Sequence, residues 1–318
     1  MKKISIVVPV LDEEGVVALF VQEVSRTVEH LPCAFEFVFV DDGSQDGTVD
    51  EIIKLNSTDE RIKLVQLSRN FGKEAALTAG MEAATGDAVI PMDVDLQDPP
   101  ELIEKFIALW EEGYDIVFGK RIARRQDTAL KKLSAGAFYK TFNKIAASQI
   151  EENVGDFRLM DRRVVEAVLC LRERNRFMKG IFAWVGFRSV EVPYERPERL
   201  AGKTKFNFWK LWNFALDGLT GFSTLPLRVW TYVGAAIGAV SLLYMVAIVA
   251  KTLIFGDAVR GYTSMMAVIL FLGGVQLFSL GIIGEYLGRL YVEAKQRPLY
   301  VVSRRLGDLR EVGGDRAS

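Results

Sequence analysis

The first hundred residues repeat one pattern. An apolar, β-branched run is followed by a polar turn and then by a stretch with helical spacing. Ile4 to Pro9 reads as a strand buried on both faces, Leu11-Asp-Glu-Glu-Gly15 as a turn, and Val16 to Glu29 as a helix. Phe35 to Val40 repeats the strand and ends in Asp41-Asp42-Gly43-Ser44-Gln45-Asp46-Gly47-Thr48, whose glycines permit tight turning before a helix over Val49 to Asn56. Ile62 to Ser68 is a third strand, Glu74 to Ala84 a third helix, and Ala88 to Met92 a fourth strand. A helix over Leu102 to Trp110 and a strand over Asp115 to Phe118 continue the alternation. Such alternation predicts an α/β fold with a mostly parallel sheet.

Beyond Phe118 the pattern changes. Gly119 to Gln126 is strongly basic, and Ala129 to Ile150 mixes Leu130, Leu133, Phe138 and Phe142 with Lys131, Lys132, Lys140 and Lys144. That is the spacing of an amphipathic helix, which suits either a membrane surface or a soluble core. Phe177 to Phe187 and Val190 to Pro193 close the globular part, and Arg196 to Lys205 reads as a cationic loop. Phe206 to Phe222 is crowded with aromatics, as in an interfacial belt. Val229 to Ala250 and Tyr262 to Gly284 follow, two apolar stretches of about 22 residues each, long enough to cross a hydrocarbon core of roughly 30 Å. Arg228 precedes the first, and Arg289, Lys295, Arg297, Arg304 and Arg305 follow the second. The positive-inside bias places both termini in the cytoplasm. The predicted layout is a catalytic domain over 1–205, an interfacial segment over 206–225, a transmembrane hairpin over 226–290 and a cytoplasmic tail over 291–318.

Composition narrows the function. The 318 residues carry a net charge of -1, which offers no basic excess for nucleic acid. Cys33 and Cys170 have no metal-ligand spacing, and the single histidine, His30, ends a helical pattern, so histidine-based catalysis is excluded as a leading reading. No Gly-x-Gly-x-x-Gly follows the first strand, and neither Gly113 to Lys120 nor Gly202-Lys203-Thr204 has the spacing of a phosphate loop.

The chemistry points to acids at strand ends. Asp93 and Asp95 follow the fourth strand one residue apart, and on an extended backbone they would share a face and meet a hard cation such as Mg²⁺ or Mn²⁺. A solvated turn is the alternative. Against it, three acidic clusters fall at the carboxyl ends of predicted parallel strands, where open α/β sheets bind ligands.

Together Val8-Pro9-Val10-Leu11-Asp12-Glu13-Glu14, Val40 to Thr48, Asp93-Val-Asp95-Leu-Gln97-Asp-Pro-Pro100-Glu101 and Gly155-Asp-Phe-Arg-Leu-Met-Asp161 resemble the family 2 glycosyltransferases, and within them the polyprenyl-phosphate group. The paired spans resemble its bactoprenol glucosyltransferase branch, and dolichyl-phosphate mannose synthases are similar. Asp12 departs from the asparagine common at that position. The resemblance implies a type A glycosyltransferase fold, with Pro9, Leu11, Glu13 and Asp42 at the base and ribose of a sugar nucleotide. It implies Asp93, Asp95 and Gln97 as ligands of Mg²⁺ or Mn²⁺ at the diphosphate. Arg199, Gly202, Thr204 and Lys205 match a loop that closes over phosphates, and Arg121 matches a cation near the acceptor phosphate. Arg124, Lys131, Lys132 and Ser134 lie where that headgroup would arrive, and Asp156 stands either as a base or as a positioning acid.

The implied reaction is an inverting transfer of one sugar, glucose from UDP-glucose, to polyprenyl (undecaprenyl) phosphate at the cytoplasmic face of the inner membrane, with Asp95, Asp156 and Arg121 as catalytic candidates. Mannosyl transfer from GDP-mannose is the alternative. A processive polysaccharide synthase is disfavoured by the absence of a Gln-x-x-Arg-Trp motif. The implied partners are the sugar nucleotide, the lipid phosphate and the membrane, with lateral assembly into a homotetramer as a further expectation.

Overall fold

The computed structural model describes residues 1–122, 154–195 apart from 175 and 177, 261–310, and scattered positions between 234 and 254. These fall into two units, Met1–Ala215 with Arg297–Ser318, and Leu216–Gln296.

The first unit is built on an eight-stranded sheet in the order β7-β5-β6-β4-β1-β2-β3-β8. Its centre comprises β1 (Lys3–Val10), β2 (Ala34–Asp41), β3 (Ile62–Leu67) and β4 (Ala88–Pro91), all parallel. β1 is buried along nearly its whole length, as a strand covered on both faces must be. The register pairs Val10 with Asp41, so β1 and β2 end together, while β4 ends opposite Val7; the carboxyl ends of all three lie on one side of the sheet. β5 (Ile116–Arg121) and β7 (Ser189–Tyr194) pair parallel to each other, while β6 (Val154–Asp161) runs antiparallel to both β4 and β5.

Helices cover the sheet because their apolar residues recur on one side. In α1 (Val17–Val28) the stripe is Val17, Phe20, Val21, Val24 and Val28. α2 (Thr48–Asn56) and α4 (Leu102–Glu111) are amphipathic in the same way. α3 (Lys73–Ala83) differs, being buried from Ala75 to Met81. It lies so close to the strands that a Cβ on Gly80 would stand 2.3 Å from Val7 Cγ1. That contact fixes the height of α3 over β1. α5 (Arg162–Cys170), capped by Asp161, and α6 (Met178–Trp184) complete the unit.

The sheet's last strand comes from a segment that the sequence pattern reads only as a tail. β8 (Val302–Leu306) pairs antiparallel with β3, and Ser68 N–H donates to Val301 O at 2.8 Å. Tyr300, 3% exposed, donates its hydroxyl proton to Glu82, and Arg310 N–H reaches Ala83 O at 3.0 Å. The chain therefore leaves the first unit and returns to its edge.

The second unit contains α7 (Tyr262–Ala294), 33 residues or about 50 Å long. Its stretch Phe271–Ala294, of mean hydropathy 1.3, is long and apolar enough to cross a membrane. Phe271, Leu277, Leu280, Ile283, Leu287 and Leu290 are exposed along it. The second expected span thus falls within one helix that runs ten residues past Gly284. The first expected span, 229–250, lies largely outside the described residues, as do the 129–150 and 206–222 segments.

Candidate active site at the carboxyl rim of the sheet

Two turns at the rim are tied to each other. Asp12 N–H donates to Ser44 Oγ at 3.0 Å, and Gln45 N–H returns a bond to Asp12 Oδ1 at 2.8 Å. Glu13 N–H donates to Thr48 Oγ1 at 2.9 Å, and Gly47 N–H to Glu14 Oε2 at 3.1 Å. Asp12 has φ +53°, a conformation in which asparagine and aspartate are the most tolerated non-glycine residues. Its carboxylate supplies the same acceptor that an asparagine amide would. The departure noted at this position therefore leaves the turn intact. Pro9, Leu11 and Glu13 are half-buried along this β1–α1 connection.

Asp42 is 4% exposed and accepts from Phe71 N–H at 2.7 Å and Gly72 N–H at 2.9 Å. Burial pushes its carboxyl above the usual range, against the two backbone bonds that stabilise the anion. In this structure Asp42 pins the loop that opens α3. Beside it Asp41 is fully buried, with Oδ1 accepting Ser44 N–H at 3.0 Å and Oδ2 unpartnered.

Asp93 and Asp95 stand differently from the expectation. β4 ends at Pro91, and after one last bond from Met92 N–H to Val7 O at 2.9 Å the chain turns at Val94 and Asp95. Leu96 sits at φ +53° and Gln97 N–H folds back to Asp95 Oδ1 at 3.1 Å. Strand alternation therefore does not set the direction of these acids; a hydrogen-bonded turn does. The turn also buries Gln97, 8% exposed, with its Oε1 unpartnered. A buried carbonyl oxygen with no donor calls for a cation or an N–H. Two carboxylates and an amide oxygen are hard donors suited to Mg²⁺ or Mn²⁺, with phosphate and water completing the shell. No group of three acidic, histidine or cysteine side chains placed to hold a metal exists among the described residues.

Facing this turn, Lys73 Nζ lies 2.7 Å from Asp93 Oδ1 and 2.9 Å from Asp156 Oδ2. Burial would lower the affinity of this ammonium for its proton, but the two carboxylates reverse the shift and raise it. Asp156 sits at the start of β6. Burial pulls its carboxyl up, and Lys73, then Arg158 and Lys179, pull it below the ordinary range. Glu74 has the opposite fate. Burial beside the Asp156 charge pushes it up to about 8, and its Oε2 has no partner. Arg158, 5% exposed, donates to Gly155 O at 2.8 Å and lies 3.8 Å from the Phe182 ring centre.

Arg121 ends β5 opposite Tyr194 in the β5–β7 register. Its Nε donates to Tyr194 Oη at 3.0 Å, and Tyr194 Oη donates to Asp98 Oδ1 at 2.8 Å, with Arg121 Nη2 3.6 Å from the same oxygen. A Cβ on Gly155 would meet Arg121 Nη2 at 2.7 Å, so a side chain there would push the guanidinium from this position. Burial beside the Asp98 charge pushes the Tyr194 phenol up to about 12. It stays a neutral donor.

Comparison with known proteins decides the family. The sequence model of glycosyl transferase family 2 matches residues 5–169, and that of the GtrB C-terminal hairpin matches residues 225–290. The chain is 53% identical over 300 residues to a bactoprenol glucosyl transferase of Shigella phage SfV, covering 94% of this chain and 98% of that one. The chain belongs to glycosyl transferase family 2. Other relatives are an uncharacterized glycosyltransferase of Synechocystis, 52% identical over 95% of both chains, and a prophage bactoprenol glucosyl transferase homolog of Escherichia coli, 51% identical over 95% and 99%.

Among the residues that the resemblance singled out in this family 2 chain, the structure gathers Asp93 and Asp156 through Lys73. Arg121 joins Asp98, the residue after Gln97 in the acidic turn. Arg124, Lys131, Lys132, Ser134, Arg199, Gly202, Thr204 and Lys205 lie outside the described residues. Sequence reasoning missed Lys73, Glu74, Asp98 and Tyr194. Lys73 and Glu74 read only as the start of a helix, where acids are commonplace.

Proposed function

We propose that this glycosyltransferase moves one glucose from UDP-glucose to the phosphate of a polyprenyl lipid. The observation that carries the reading is similarity of more than 50% identity, over 94% or more of both chains, to proteins named bactoprenol glucosyl transferases. The acidic turn supports the donor side. Asp93, Asp95 and the Gln97 carbonyl would hold Mg²⁺ or Mn²⁺, which when bound stabilises charge growing on the departing diphosphate. Asp42 and the linked β1–α1 and β2–α2 turns shape the ground on which the nucleoside rests.

Arg121, held by Tyr194 and Asp98, aims the acceptor phosphate. A phosphate oxygen attacks the anomeric carbon, the bond to the diphosphate breaks, and a single displacement inverts the configuration. A phosphate monoester with a second pKa of about 6 is already ionised at neutral pH and needs no base. Asp156, held below the ordinary carboxylate range and paired with Lys73, is a poor proton acceptor, so we assign it a positioning role. Residues 226–290 form the two-span hairpin in this reading, with the first unit at the cytoplasmic face and delivery of the lipid from the bilayer.

Incubating membranes that contain the protein with polyprenyl phosphate and labelled UDP-glucose, GDP-mannose and other sugar nucleotides tests this directly. Label should pass from UDP-glucose to lipid, one sugar per chain. Label entering only from GDP-mannose would overturn the donor, and label entering a polymer would overturn the acceptor.

A further inference from the structure

We propose that Lys73 is a built-in competitor for the metal, an ammonium that occupies Asp93 until a sugar nucleotide brings the cation with it. The inference rests on the reading of Asp93 as a metal ligand. The Lys73 side chain is 44% exposed, but its backbone base is held in place. The loop before it is pinned by the bonds from Phe71 and Gly72 to Asp42, and its helix is pinned against β1 at Gly80. From that fixed base the side chain reaches two acids on different elements, Asp93 in the turn after β4 at 2.7 Å and Asp156 on β6 at 2.9 Å.

A divalent cation on Asp93 would lie within a few ångströms of this ammonium. Like charges at such a distance repel strongly at a half-buried site, so the cation binds weakly to the free enzyme. The donor's diphosphate changes the balance, because its negative oxygens accept both the cation and the ammonium. Lys73 then gives up Asp93 for phosphate while Asp156 keeps it in place. Metal and nucleotide consequently strengthen each other's binding, and by linkage the coupling is equal in both directions. Asp156 serves in this scheme as the anchor that keeps the displaced ammonium near the diphosphate.

The test measures binding of Mn²⁺ alone to the full-length protein in detergent, from the electron paramagnetic resonance signal of free Mn²⁺, with and without UDP. Lys73→Met and Lys73→Gln should bind Mn²⁺ without nucleotide roughly tenfold tighter than the wild type, and UDP should improve that affinity less than it does in the wild type. Lys73→Arg, which keeps the charge, should show no gain. Thermal melting of each variant reports folding, and the Met and Gln variants provide independent routes to the neutral state. Equal Mn²⁺ affinity in wild type, Lys73→Met and Lys73→Gln would overturn the inference while leaving the metal site standing. Mn²⁺ binding that Asp93→Asn does not alter would overturn the metal reading, and the inference with it.

Discussion

The two ends of the same parallel strands treat buried acids in opposite ways. At the amino-terminal end Glu36, 1% exposed, accepts from Lys63 Nζ at 2.8 Å, Thr85 N–H at 2.7 Å, Thr85 Oγ1 at 2.7 Å and Ser5 Oγ, with Lys3 Nζ 2.7 Å away. Both of its oxygens are fully engaged. At the carboxyl rim Asp41 Oδ2, Glu74 Oε2 and Gln97 Oε1 are buried without partners, and Lys73 is shared between two acids. A closed network holds strands together, whereas an open one keeps donors and acceptors for something that arrives later. The contrast separates stability from chemistry along a single sheet, and substitutions at either end should separate them too.

The largest effect belongs to the rim. Asp95→Asn should lower turnover on the order of 10³-fold, the scale for losing a group that stabilises transition-state charge, while thermal melting stays within a degree or so of the wild type. Unchanged turnover with Mg²⁺ or Mn²⁺ would break the assignment. At the other end the signs reverse. Glu36→Gln should leave activity per folded molecule intact but cost about 3 kcal/mol of stability, because Lys63 would remain buried beside an uncharged partner.

Acid should reveal the same network. Burial pushes the Glu36 carboxyl up, but bonds from Lys3, Lys63, Ser5 and Thr85 outweigh it and hold it at about 2, below its ordinary value of 4.5. The folded pKa is the lower one, so the stabilisation is present in full above pH 4.5 and lost as pH falls toward 2. The loss amounts to about 3 kcal/mol, measurable as a shallower stability slope over that window in Glu36→Gln. A smaller effect is expected at the acceptor side. Arg121→Ala should raise KM for lipid phosphate about tenfold, as for a lost charge-assisted bond, and alter KM for the sugar nucleotide little. Smallest is Tyr194→Phe, which removes one hydroxyl between Arg121 and Asp98 and should raise the lipid KM about threefold.

How much of this was legible in the sequence follows from how local each signal is. The central strands and α1 to α4 were readable because their apolar residues recur within a few positions. The acids of the rim were readable for the same reason, since Asp41 ends β2, Asp42 follows it, and Asp93 and Asp95 come within four residues of the end of β4. β6 entered only as a motif of the resemblance and not as a strand, because Gly155, Asp156 and Arg158 interrupt its apolar run. β8 was missed because Val-Ser-Arg-Arg-Leu carries the charge of an edge strand. Lys73 and Tyr194 were invisible as site residues because their partners lie on other elements. The β5–β7 register brings Tyr194 beside Arg121, 73 residues away, and no spacing along the chain encodes that.

The central claim is that Asp93, Asp95 and Gln97 form a cation site serving a nucleoside diphosphate. Calorimetric titration of UDP into the full-length protein, with and without Mn²⁺, tests it most directly. In the wild type Mn²⁺ should tighten UDP binding by roughly tenfold or more, and in the Asp93→Asn, Asp95→Asn double variant it should have no effect. An equal response to Mn²⁺ in both proteins would contradict the account.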